Sequence, residues 1–201
     1  MPRLVDHSER RRAIIETTWQ LIAERGIENA SMRDIARACG YAAPGVLAHY
    51  FPNKNELLLA SYELICERTN ERIDAATVGR RGLDALLALC LEIIPAEDLT
   101  TVEAKVAVSF WQRAQTDAAL RHVGREALSC WHASIMTCLA QAQAEGDGPG
   151  TADPDLFADE LLNTMMGLHI TAMLDPGAMS GSRQRRLIES MLERIAVSCT
   201  A

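Results

Sequence analysis

The chain has 201 residues, of which 48% are hydrophobic and 23% charged, a balance that excludes a disordered polymer and allows a substantial buried core. Its formal charge of −7 excludes a protein that coats nucleic acid along its whole length. The distribution matters more than the total: residues 1–54 hold eight Lys/Arg against six Asp/Glu, and the remainder holds twelve against twenty-one. A nucleic-acid contact therefore has to be local to the N-terminal part.

The apolar stretches, Leu83 to Ile94 among them, are broken by charge and fall short of a membrane span. The opening Met1-Pro2-Arg3-Leu4-Val5-Asp6 lacks the apolar run of a signal peptide, so a cytoplasmic location is expected. Cys39, Cys66, Cys90, Cys130, Cys138 and Cys199 form no CxxC pair and no cluster with His. They read as core thiols, with neither a metal site nor a disulfide framework. No cofactor is expected.

Taken in chain order, Ser8 caps a first helix in which Ile14, Ile15, Thr18, Trp19 and Ile22 share a face and which Gly26 ends. Ser31-Met32-Arg33-Asp34 reads as a capping box that opens a short second helix stopped by Gly40. Residues 43–50 form a short third helix with Pro44 in its first turn, and Phe51-Pro52-Asn53 breaks it. A long fourth helix starts at Asn53 or Asn55 and ends near Val78-Gly79. Five more follow, at about 80–94, 97–115, 118–145, 154–174 and 182–198. They are separated by Pro95, Thr116-Asp117, the loop from Gly146 to Gly150, and Asp175-Pro176-Gly177. No segment keeps a strand period. The expected class is all-α, with about nine helices: a three-helix head joined through the fourth helix to a larger helical lobe. The division expected is 1–60 for a helix-turn-helix head and 61–201 for ligand binding and dimerisation.

Two short helices behind a supporting first helix match the helix-turn-helix plan. The string GIENASMRDIARACGYAAPGVLAHYFPNKNELL, residues 26–58, closely resembles the signature of the TetR family of transcription regulators. The resemblance is carried in order by Gly26, Ser31, Ile35-Ala36, Gly40, His49-Tyr50-Phe51 and Lys54, and extends over about residues 8–62. More loosely, the opening helix and the later AVSFWQRAQTDAALRHV are similar to the choline-responsive BetI branch. The resemblance implies a dimeric repressor that binds a pseudo-palindromic double-stranded operator and is released by a small-molecule effector held in the C-terminal lobe. An effector-aided binder has the opposite sign, and a dimeric ligand-binding or protein-interaction module with a degenerate head is the alternative reading.

The expected DNA contacts are Ser31, Met32, Arg33, Ala43, Pro44, Gly45, Ala48, His49, Tyr50 and Lys54. A helix N-terminus offers free N–H groups to phosphate, which Arg33 and Lys54 supplement with charge. Small residues at positions 43, 45 and 48 let the recognition helix sit deep in the major groove. This chain departs from the family pattern with Ala43 in place of the usual Ser or Thr cap, with Pro44 in place of a polar reader, and with Ala48 in place of Tyr. With few polar side chains there, readout rests on thymine methyls, Arg33 or DNA shape. Arg10, Arg11 and Arg12 either reach into a groove as a basic arm or solvate the start of helix 1.

In the C-terminal lobe the resemblance places a pocket among Glu103, Phe110, Trp111, Trp131, His132, Met136, Met165, Met166 and His169. Glu103 and Glu160 are candidate partners of a cationic effector; the bland alternative is a core lined by Met and aromatic rings. Leu156, Leu161, Leu168, Leu187, Met191 and Ile195 are the expected dimer interface. His49, His122, His132 and His169 lack a nucleophile elbow, a phosphate-cradling loop or ligand spacing nearby, so no catalysis is expected.

Overall fold

The computed structural model describes residues 7–26, 29–146 and 153–197. The opening six residues, the 147–150 part of the expected loop and Cys199 lie outside the described residues. Among the described residues there are nine helices and no strand. They are α1 (His7–Arg25), α2 (Met32–Ala38), α3 (Gly45–Ala48), α4 (Lys54–Thr77), α5 (Gly82–Ile93), α6 (Asp98–Ala114), α7 (Ala118–Glu145), α8 (Pro154–Leu174) and α9 (Gly181–Val197). No helix of the described residues is long and apolar enough to cross a membrane.

Local chemistry explains most boundaries. Ser31 caps α2: its Oγ accepts the Asp34 amide at 3.2 Å, and the Asp34 carboxylate accepts the Ser31 amide at 3.1 Å. Gly40 takes the left-handed conformation, φ +79°, at the turn after α2, where a side chain would be strained. The Asn53 side chain caps α4 by accepting the Glu56 amide at 3.0 Å. Asp117 and Asp153 do the same for α7 and α8.

Two expectations at helix ends are corrected. Ser8 lies inside α1, which already begins at His7, so it is not the cap. The third helix is a single turn, Gly45–Ala48, because Ala43 and Pro44 offer no side-chain cap. Tight bonds from Leu47 N to Pro44 O (3.0 Å) and from Phe51 N to Leu47 O (2.8 Å) close it at either end.

Three buried clusters make up the core. In the head, Ile14, Ile15, Ile35, Ala36, Leu47, Phe51 and Leu57 unite α1 to α4. A connecting cluster brings Trp19 and Ile22 of α1 against Leu58, Tyr62 and Ile65 of α4, and against Val106, Ala107 and Phe110 of α6. The third holds α5, α7, α8 and α9 together through Leu86, Leu89, Ile135, Leu139, Leu161, Met165, Ile188 and Leu192. Helix α4 contributes Leu57 to the first, Leu58 to the second and Ile73 to the third. It is the rod to which both ends of the protein are fastened.

Candidate functional site

On the head, Ser31, Arg33, Ala43, Pro44, Gly45, Ala48 and His49 are exposed. They border the α2–α3 turn, whose inner side is fixed by Leu47 and Phe51, 0% and 1% exposed. Met32 and Tyr50 are half-buried against the head core, and the Tyr50 ring stacks on His7 with centroids 4.6 Å apart. Lys54 opens α4 and is half-buried. The Ser31 hydroxyl and amide both engage Asp34 and hold its carboxyl below the usual range. The hydroxyl is therefore committed to the capping box, and the charge beside it has to come from Arg33 and from Arg37, which lies 3.8 Å from Asp34.

Two residues on this surface escaped the sequence reading. Val46 is 38% exposed on α3, and Arg37 projects from the last turn of α2. The signal for Val46 was its place directly before buried Leu47. Of the two readings of the arginine run, the structure favours the solvated start of helix 1: Arg10, Arg11 and Arg12 are exposed and all within α1. The Arg11 guanidinium lies 4.9 Å from the Phe51 ring centroid, and Arg12 lies 3.7 Å from Glu16.

The lobe contains a cavity bordered by Tyr62, Ile65, Cys66 and Thr69 of α4, Ile93 of α5, Glu103, Ala107 and Trp111 of α6, Trp131 of α7 and His169 of α8. Four of the nine expected pocket residues meet here: Glu103, Trp111, Trp131 and His169. The other five do not line it. Phe110 stands behind, stacked flat on Tyr62 at 3.8 Å. Met136, Met165 and Met166 fill the apolar core of the α5, α7, α8 and α9 layer, the bland reading of a methionine stripe. His132 lies outside, with Nε2 3.4 Å from Asp155 and 3.7 Å from Asp159. Glu160 is exposed on α8.

What the sequence reading missed is the α4 wall. Tyr62, Cys66 and Thr69 recur at i, i+4 and i+7, so a polar face was there to be read beside the apolar one.

Glu103 is the one carboxylate around this cavity, and it is 4% exposed. Burial raises its pKa above the ordinary carboxylate value, opposed by Arg72. Arg72 reaches it in a fork, with Nη1 to Oε1 at 3.0 Å and Nη2 to Oε2 at 2.7 Å. The same guanidinium donates from Nε to Glu92 Oε2 at 3.1 Å and from Nη2 to the Glu92 carbonyl at 3.3 Å. Burial opposes the Arg72 charge, but Glu103 and Glu92 together raise its pKa.

His169 Nδ1 lies 2.9 Å from the Met165 carbonyl. That oxygen only accepts, so Nδ1 carries the proton and Nε2 keeps a lone pair. Burial lowers the His169 pKa and favours this neutral form. Trp111 Nε1 and Trp131 Nε1 donate to Tyr62 Oη at 3.4 Å and Asn70 Oδ1 at 3.0 Å, so both indoles are oriented by α4. The room inside is about 20 Å³, about that of one water. Trp111 also borders an open groove of about 300 Å³, which it shares with Phe110, Ala114, Gly124 and Leu128.

With a reading turn at one end and a ring-lined cavity at the other, the arrangement is that of a one-component regulator. Residues 14–61 match the family of bacterial regulatory proteins of the tetR type, and residues 82–197 match the BetI-type transcriptional repressor C-terminal family. The chain belongs to the TetR family. TetR-family regulators bind operator DNA and small-molecule effectors and form homodimers, and this chain is one of them.

It is 32% identical over 201 residues to the HTH-type transcriptional regulator PksA of Bacillus subtilis, covering 100% of this chain and 96% of that one. To the HTH-type transcriptional regulator BetI of Escherichia coli it is 29% identical over 160 residues, covering 76% and 81%. A transcriptional regulator from Saccharomonospora viridis, solved in complex with choline, superposes with TM-score 0.87 at 26% identity, covering 93% and 97%.

The expected interface of this TetR-family dimer needs correcting. Leu161, Leu168, Met191 and Ile195 are each 8% exposed or less and are consumed by the protomer's own core, where Leu187 also packs. Of the six, Leu156 alone is exposed, at 58%. The stripe chosen from the sequence was the inner one, because periodicity reports that a face is apolar and not what covers it.

Proposed function

We propose that this regulator represses transcription by holding two heads on a pseudo-palindromic operator, and that a small cation, a quaternary ammonium of the choline class, releases it. The observation that carries the effector class is the cavity: three rings, Tyr62, Trp111 and Trp131, surround one buried acid, Glu103. Ring faces and a carboxylate together suit an ammonium that cannot donate hydrogen bonds. The neutral His169 supplies an acceptor in the same cavity for a hydroxyl on the ligand. The choline complex of the Saccharomonospora viridis regulator supports the same reading.

The cavity holds about one water, whereas small-molecule sites usually enclose about 300 Å³ or more. Occupancy therefore requires expansion, and Trp111 is the wall that yields. Its hydrogen bond to Tyr62 is long, 3.4 Å, and an open groove lies on its other side.

The head contacts DNA through Ser31, Met32, Arg33, Ala43, Pro44, Gly45, Ala48, His49, Tyr50 and Lys54, joined by Val46 and Arg37. Arg33, Arg37, His49 and Lys54 position it on phosphate; the small apolar surface of α3 follows thymine methyls and groove shape. Residues 1–60 form this head and 61–201 the sensor and dimer lobe, in a cytoplasmic protein that acts without catalysis. Dimerisation uses the outward stripe of α8. Leu156, Ile170 and Leu174 are exposed there, and Gly167, with open space above it, lets a second helix approach closely.

Selection of DNA from a random pool is expected to return a two-fold symmetric site. Calorimetry is expected to give choline binding, with the uncharged tert-butyl analogue about tenfold weaker or worse. No enriched palindrome would overturn the operator reading, and equal binding of both compounds would overturn the cationic one.

A further inference from the structure

Helix α4 carries two arginines one turn apart, and they face opposite ends of the molecule's business. Arg68 pairs with Glu16 of α1, and its guanidinium lies 5.2 Å from the Trp19 ring centroid. Arg72 is forked onto Glu103 of α6 at 3.0 and 2.7 Å and is also bonded to Glu92 of α5 at 3.1 Å. The first arginine fastens α4 to the helix that supports the reading head. The second fastens it to the single acid of the cavity.

We infer that Arg72 is the coupling residue of this regulator: it holds α4 in the operator-competent position by its bond to Glu103, and a cation that takes Glu103 releases it. The inference rests on the cationic-effector reading. Three features make the exchange physically complete.

First, both Glu103 oxygens already accept from Arg72, so a second cation in the cavity competes for the same charge. Second, the displaced guanidinium is not left bare, because Glu92 offers both a carboxylate and a carbonyl within 3.3 Å. Third, it has somewhere to go: Arg72 and Glu92 border an open cavity of about 530 Å³, with Glu97, Ser182 and Arg185 around it. Release on the α5–α6 side lets α4 shift, and the Arg68–Glu16 pair carries that shift to α1. A ligand moves an equilibrium only by its differential contacts with the two states, and Glu103 is the contact that differs.

The test compares wild type, Arg72→Met and Ile73→Val, as full-length dimers. Anisotropy on a duplex obtained by selection gives operator affinity, and calorimetry gives choline affinity. Arg72→Met is expected to bind the ligand-free operator about 5- to 150-fold more weakly, the usual range of allosteric coupling. It is also expected to bind choline more tightly, because Glu103 is no longer shared. Choline then leaves its operator affinity unchanged within about twofold.

Ile73→Val trims the neighbouring core and is expected to keep wild-type affinity for both ligands. Opposite movement of the two affinities is something a merely damaged fold does not produce. Operator affinity like that of wild type in Arg72→Met, with the full choline response, overturns the inference. So does a parallel loss of both affinities, or an equal loss in Ile73→Val. If wild type binds no choline, the effector reading fails while the operator arm still decides: a loss in Arg72→Met absent from Ile73→Val upholds the coupling role.

Discussion

The head and the lobe place their chemistry on opposite sides of their cores. In the head the buried hydroxyls of Thr18 and Ser61 bond only to carbonyls of their own helices, and the candidate contacts Arg33, Pro44, Gly45, Ala48 and His49 stand outside the core. In the lobe the candidate contacts are themselves buried: Glu103 is 4% and His169 5% exposed. DNA is too large to enter a protein, so its reader is a surface on a rigid base. A small effector is recognised by being enclosed, so its reader is built from polar groups that the core must already satisfy. Arg72, the Met165 carbonyl and Asn70 do that for Glu103, His169 and Trp131. A buried charge with a protein partner is therefore both a structural necessity and a signal waiting to be displaced.

The largest expected break in this comparison comes from the rigid base of the reader. Phe51→Ala removes a ring 1% exposed in the head cluster and is expected to cost about 3 to 5 kcal/mol. Hydrogen exchange should show lost protection in α2 and α3, with α5, α7 and α8 retained, and operator binding should disappear. Uniform loss of protection would mean that the three clusters melt as one.

A smaller effect tests the surface. Lys54→Ala is expected to weaken binding to every sequence alike and to lower the salt dependence by about one unit in the log–log slope. A changed sequence preference would make Lys54 a reader and not an anchor.

The smallest effect concerns the buried side. Burial lowers the pKa of His169 from 6.5, so as pH falls through that value the unfolded chain takes up a proton that the folded one refuses. His169 therefore contributes a stability loss as pH drops below about 6.5, fully absent above it. Glu103, whose pKa burial raises from 4.5, acts in the opposite sense at lower pH, and Arg72 stays charged. Cys66 is pushed up to about 12, and Tyr62 higher still; neither titrates in this window. The wild-type curve of melting temperature against pH should fall more steeply below about pH 6.5 than that of His169→Gln. Parallel curves would show that His169 is not held neutral.

The same contrast explains what was legible in the sequence. The head was readable because its signals are local: the Ser31–Asp34 box, Gly40 at positive φ and the Asn53 cap each lie within four residues of what they control. Helix limits in the lobe were equally clear, since Asp117 and Asp153 mark α7 and α8. The cavity was not, because it depends on which faces of α4, α5, α6, α7 and α8 meet. Glu103 and Trp111 were singled out while Arg72, 31 residues before Glu103, was passed over as one more charge on a long helix. Leu161 and Leu168 show the converse error, since an apolar stripe looks the same whether its own chain or a second copy covers it.

The measurement that bears most directly on the account is operator affinity with and without saturating choline, on the duplex that selection returns. A fall of about 5- to 150-fold is predicted, with the dimer intact. An affinity that choline leaves unchanged, or raises, would contradict a repressor released through the Glu103 cavity.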